Sequence, residues 1–215
     1  MNTAPRKAEE VISLKVTLRG IRPPIWRRLE VPSRISLGIL HDAIQAAMGW
    51  GDHHLYAFDV AGRSYGDPAR VDDVKDDMRL TVTGVLKSGV RRFTYTYDFG
   101  DDWEHEVAIE GKRAAVDGRR YPACVAGKRN CPPEDCGGVW GYQNLLAALA
   151  DPSRSQVEGW SEWMERGFDP EEFSVDVVDT RIGTRLKSRP ALTERPMERR
   201  QRALRFSGGE QLQSM

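Results

Sequence analysis

The stretch Arg92-Phe93-Thr94-Tyr95-Thr96-Tyr97-Asp98-Phe99-Gly100-Asp101-Asp102-Trp103-Glu104-His105-Glu106-Val107-Ala108-Ile109 alternates apolar and polar residues on both sides of a short Gly/Asp segment. Phe93, Tyr95 and Tyr97 share one face of the first arm, as Trp103, His105, Val107 and Ile109 do of the second. A period of two is that of a half-buried strand, and Asp98–Asp102 has the residues of a tight turn. The stretch predicts an antiparallel hairpin. Upstream, Ile12, Leu14, Val16 and Leu18 alternate with Ser13, Lys15 and Thr17, which predicts another strand. Pro23-Pro24 ends it, because neither proline donates to a ladder, and Ile25–Val31 reads as its neighbour.

Ser36 is placed to cap a helix running to about Trp50, with Leu37, Leu40, Ile44, Ala47 and Met48 as its apolar stripe. His41 falls on that stripe and is expected to pack against the sheet. His54–Val60 reads as a strand that puts His54 on a face with Tyr56 and Phe58, Val71–Asp77 as a loop or short helix, and Leu80–Leu86 as a strand weakened by Gly84. Tyr121–Gly138, with every cysteine and Pro132-Pro133, reads as an irregular loop. Helices are expected over 141–150 and 156–166, with a short one near 171–178. Strands followed by helices, without βαβ alternation, predict an α+β fold: an antiparallel β meander, one helix after the first two strands, and a C-terminal helical segment.

At 215 residues, 40% of them hydrophobic and 30% charged, the chain suits one domain with appendages. The expected division is a disordered N-terminus over 1–10, a single domain over 11–186 and a disordered tail over 187–215. Net charge is zero, yet from Arg181 onward nine Lys/Arg face three Asp/Glu, so a basic end follows an acidic body. No apolar run reaches the roughly 18 residues of a membrane span, and Met1–Glu10 lacks the apolar core of a secretion signal. A cytoplasmic protein without membrane contact is expected. Cys124, Cys131 and Cys136 are odd in number, which argues for free thiols or partial metal ligands over a disulfide framework.

Several stretches together resemble a known family. They are Pro24-Ile25-Trp26-Arg27-Arg28, Leu40-His41-Asp42-Ala43-Ile44-Gln45, Met48-Gly49-Trp50 followed by His54-Leu55, Tyr95 through His105, Cys131-Pro132-Pro133-Glu134-Asp135-Cys136-Gly137-Gly138, Gly141-Tyr142 and Gly167-Phe168-Asp169-Pro170. With their spacings they resemble the plasmid pRiA4b open-reading-frame-three family over about residues 10 to 182. The resemblance implies an α+β fold on a strand meander and a place among the passenger proteins of insertion elements, some of which carry a resolvase label. It implies no particular activity. A serine recombinase needs an activated Ser with an arginine cluster on a βαβ scaffold, and the residues offer neither.

The candidate catalytic residues are His105, Asp98, Asp101 and His54. His105 lies on an apolar face, where an unmet hydrogen bond costs about 1–3 kcal/mol. A carboxylate from Asp98, Asp101 or Asp102 would fix the imidazole and raise its pKa; the alternative is a buried histidine that locks the hairpin. If His54 converges with His105 and Asp98, two imidazoles and a carboxylate suit a divalent metal. The cysteines are a second metal candidate, although their spacing is wider than the usual Cys-x-x-Cys pairs. Trp26, Arg27 and Arg28, with Trp103, are candidate ligand-binding residues for phosphates and unstacked bases, unless acidic residues in 98–110 neutralise the arginines. No phosphate-binding glycine loop, nucleophile elbow or dinucleotide fingerprint occurs. The leading expectation is an accessory or binding protein of a mobile element, contacting nucleic acid or a partner protein, with no cofactor. The alternatives are a metal-dependent hydrolase or nuclease centred on the 98–105 hairpin, and an adaptor using exposed aromatics among Trp140, Trp160 and Trp163.

Overall fold

The 92–109 hairpin forms, and its second arm runs on as one of the longest strands of the sheet. A computed structural model describes residues 9–151 and 167–188. In chain order the elements are β1 Glu10–Leu18, β2 Trp26–Pro32, α1 Leu37–Met48, β3 Tyr56–Asp59, β4 Ser64–Gly66, β5 Lys75–Asp76, α2 Val82–Lys87, β6 Arg92–Tyr97, β7 Trp103–Ala114, β8 Ala123–Lys128, α3 Gly138–Ala150 and α4 Val175–Ser188. The strands make one 8-stranded sheet in the order β5-β4-β3-β6-β7-β1-β2-β8. Every pairing is antiparallel except β4 with β5. The fold is α+β.

Register sorts the sheet's faces. Phe58, Tyr95, His105 and Leu18 lie opposite one another across four strands, as do Phe93, Val107, Val16 and Arg27. Both rows are buried, on the face that carries the core. The other face keeps Ser13, Lys15, Thr17, Thr94, Glu104 and Glu106 partly exposed. It is laced by ion pairs, among them Arg28 with Glu110 at 2.6 Å and Arg92 with Glu106 at 2.6 Å.

α1 begins where Ser36 Oγ accepts from the Ile39 amide, and it stops at Gly49, whose φ of 89° an L-residue would resist. Leu37, Leu40, Ile44 and Ala47 enter the core. His41 is buried there too, stacked on Tyr56 with ring centroids 3.5 Å apart.

The structure corrects four element expectations. Leu80–Leu86 is not a strand: Thr81 Oγ1 accepts from the Gly84 amide and starts α2, which buries Val82 and Val85 at helical spacing. The 121–138 loop contains β8, which pairs with β2. β3 starts at Tyr56, so His54 precedes the strand instead of sitting on its apolar face. The short helix near 171–178 is α4, 14 residues long. The helix expected over 156–166 lies outside the described residues, as does the tail beyond Ser188. No helix among the described residues is long and apolar enough to cross a membrane.

Candidate functional site

At the 98–102 turn the backbone reverses through Asp98 and Asp102, both with positive φ, at 57° and 53°. Asp98 stabilises this turn itself, its Oδ1 accepting from the amides of Gly100 and Asp101. Its other oxygen faces His54, with Nε2 to Oδ2 at 3.7 Å, and Asp135 meets the same Nε2 at 2.9 Å. One ligand atom from each of His54, Asp98 and Asp135 lies within 4.8 Å of the others. The set of one imidazole and two carboxylates has the chemistry to hold a divalent cation. Both acids lie within ion-pairing distance of the imidazole, yet His54 Nε2 makes no hydrogen bond among the described residues.

The turn is docked on the start of α3. Asp101 Oδ2 accepts from the Gly137 amide at 3.2 Å, and a Cβ built on Gly138 would lie 2.5 Å from the Asp101 carbonyl oxygen. Gly138 also has a φ of 66°, so glycine is required there twice over. Glu134 extends the acidic corner, accepting from Tyr97 Oη and from the Gly51 amide. Phe99 sits two residues before Asp101, and Trp140 two residues after Gly138. Their exposures are 48% and 80%. The corner thus carries Asp98, Asp101, Asp102, Glu134 and Asp135 beside two exposed aromatics, and none of these acids pairs with Lys or Arg among the described residues.

His105 does not join this corner. It is fully buried, its Nδ1 donates to the Tyr95 carbonyl at 3.3 Å, and the edge of Trp50 lies against its ring. No carboxylate among the described residues reaches it. Burial lowers its pKa to about 4, against the opposing effect of the Tyr95 and Trp103 carbonyls. The raised pKa that a carboxylate pairing would give is not found: the inward face supplies backbone and aromatic neighbours, while Asp98 faces His54 and Asp101 meets the start of α3.

The expected arginine cluster is divided by strand alternation. Arg27 points inward at 2% exposure, giving Nε to the Ala47 carbonyl and Nη1 to the carbonyls of Trp26 and Lys128. Arg28 points outward and forks onto Glu110, and Trp26 lies between Lys15 and Arg28. Trp103 is buried beside Trp50, so it presents no ligand-facing surface. All three cysteines are buried free thiols. Burial pushes Cys124 up to about 11 and Cys131 and Cys136 up to about 12, which disfavours the thiolates a metal needs. Among the described residues no cysteine joins a three-ligand group.

Asp135 and Phe99 were not legible as site residues. The Cys131–Gly138 motif marked the region, but only the docking of α3 on the turn brings Asp135 to His54. Trp160 and Trp163 lie outside the described residues.

Comparison with known proteins fits this architecture. Residues 10–177 match the family described as plasmid pRiA4b ORF-3-like protein. The chain belongs to that family. The match runs from β1 into the first turn of α4 and includes the whole acidic corner. A relative from Sinorhizobium fredii, the uncharacterized protein y4hQ, is 42% identical over 156 residues, which is 71% of this chain and 80% of the relative. A crystal structure of a protein of unknown function from Methanosarcina mazei Go1 superposes with a TM-score of 0.70 at 37% identity, covering 79% of this chain and 98% of that one. The family thus fixes the fold and leaves the activity to be argued from the site.

Proposed function

We propose that this protein is a binding accessory of a mobile element, and that it engages a partner protein through the corner formed by the 98–102 turn and the start of α3. One observation carries the reading: Trp140, at 80% exposure, stands on the corner that also exposes Phe99 and gathers acids that no Lys or Arg pairs among the described residues. Tryptophan is a preferred anchor of protein interfaces, and a single buried anchor is worth roughly 2–4 kcal/mol. The surrounding carboxylates select against phosphate backbones and in favour of a segment rich in Lys or Arg. The plasmid context of the family supports the mobile-element setting. Nucleic acid is the less favoured partner of this corner, because its charge has the wrong sign.

Selection of random peptides on the purified protein tests the reading. Wild-type protein should enrich sequences that combine Lys or Arg with a large apolar residue, and Trp140→Ala should lose that enrichment while unfolding at an unchanged temperature. An identical pool on Trp140→Ala, or a pool of acidic sequences, would sink it.

The hydrolase reading has less support. His54, Asp98 and Asp135 have the donors for a divalent ion, but His105, the expected base, is sealed in the core.

A further inference from the structure

α4 lays Thr180, Arg181, Thr184, Arg185 and Ser188 along a groove whose other wall is Ala46, Gly49 and Trp50 at the end of α1. The groove holds about 420 Å3, within the 300–1,000 Å3 usual for small-molecule sites. Its polar groups are not equivalent. Arg185 is committed, with one nitrogen 3.4 Å from Asp42 and another 2.9 Å from Asp52. Thr184 and Ser188 donate their hydroxyl protons to the carbonyls of Thr180 and Arg185. Arg181 is exposed and meets no carboxylate among the described residues, and its guanidinium lies over Gly49. A Cβ on Gly49 would come within 3.0 Å of its Nη1, so the glycine that ends α1 also makes room for this charge.

Beneath the groove lies a second cation. Arg27 reaches Ala47 of the same helix end, and its described partners are carbonyl oxygens and the ring of Phe173, with no carboxylate. Buried charges are ordinarily paired, because desolvation is otherwise uncompensated. The α1 carbonyl terminus offsets part of this charge. Arg181 adds to it: burial lowers the Arg27 pKa, Cys131 and Cys124 oppose that, and Arg181 lowers it by a smaller amount. Arg185 is offset by two carboxylates, but at the Gly49 end of the groove Arg181, with Arg27 against the same helix terminus, leaves a locally cationic surface. Such a surface concentrates anions.

We propose that the groove between α1 and α4 binds a small molecule bearing a phosphate or carboxylate group, held by the Arg181 fork with the Thr180 hydroxyl beside it. A planar fork suits either group. This site is separate from the acidic corner, so its failure would leave the partner-binding reading standing.

The test uses the full chain at constant ionic strength, with sodium phosphate or sodium benzoate exchanged for sodium chloride. Thermal unfolding and titration calorimetry are followed together. One of the two anions should raise the unfolding temperature saturably, and the better one names the ligand's head group. Arg181→Gln should weaken that binding about tenfold or more, the loss expected for a charge-assisted hydrogen bond. Thr180→Ala should weaken it severalfold, and Arg63→Gln, on the β3–β4 turn, should leave it unchanged. A wild type that shows no saturable effect with either anion overturns the proposal. So does binding by Arg181→Gln as tight as that of wild type.

Discussion

At His105 the hairpin buries an imidazole whose Nδ1–H meets the Tyr95 carbonyl and whose Nε2 has no hydrogen-bond partner among the described residues. The neutral form is the one this environment accepts. The folded pKa is depressed to about 4 from 6.5, so between those values the unfolded chain binds the extra proton. Stability on this account is fully present above pH 6.5 and is lost as pH falls toward 4, by about 3 kcal/mol. Denaturant unfolding of wild type and His105→Leu across that range should show the wild type losing stability faster on acidification. Parallel curves would contradict a depressed pKa. Tyr95 offers a second case. Its hydroxyl accepts from Gln45 Nε2 at 2.9 Å and meets His41 Nδ1 at 2.8 Å, and His41 Nε2 reaches Asp52 at 3.0 Å. Tyr95→Phe strands two buried polar groups of α1, and equilibrium unfolding should show a loss of roughly 1–3 kcal/mol.

Among the elements, what the sequence made legible was periodicity. Alternation in β1, β6 and β7 and the stripe of α1 are local signals, and each is visible without its neighbours. The misreadings came where tertiary partners decide. Val82 and Val85 look like strand residues, but a cap by Thr81 and burial three residues apart make them helical. β8 has small residues and a register shift against β2, so no clean alternation marked it. Arg27 and Arg28 look like one basic cluster, yet alternation sends one to the core and the other to Glu110. The candidate site was legible in its halves and not in its union. His54 and Asp98 were named, while Asp135 arrives only because α3 docks on the turn. That docking depends on Gly138, where a side chain would meet the Asp101 carbonyl and a strained φ. Gly138→Ala should cost roughly 1–3 kcal/mol in unfolding free energy. Hydrogen exchange should rise at 98–102 and at the start of α3, and not in β1 or β2; uniform protection would argue against the contact.

For the molecule as a whole, one sheet face carries the core and the other is laced by ion pairs among the described residues. The acidic, aromatic corner is different. It exposes Trp140 and Phe99 beside carboxylates that meet no Lys or Arg among the described residues. Its affinity for a basic segment should fall as salt rises, because rim charges steer association through a screened field. The most direct test is the dissociation constant of a selected basic peptide, measured at low and high salt for wild type and Trp140→Ala. We predict weakening of about 30-fold or more in the variant, as expected for loss of a tryptophan anchor, with wild-type affinity declining as salt increases. Equal constants for the two proteins, or an affinity indifferent to salt, would contradict a partner site at this corner.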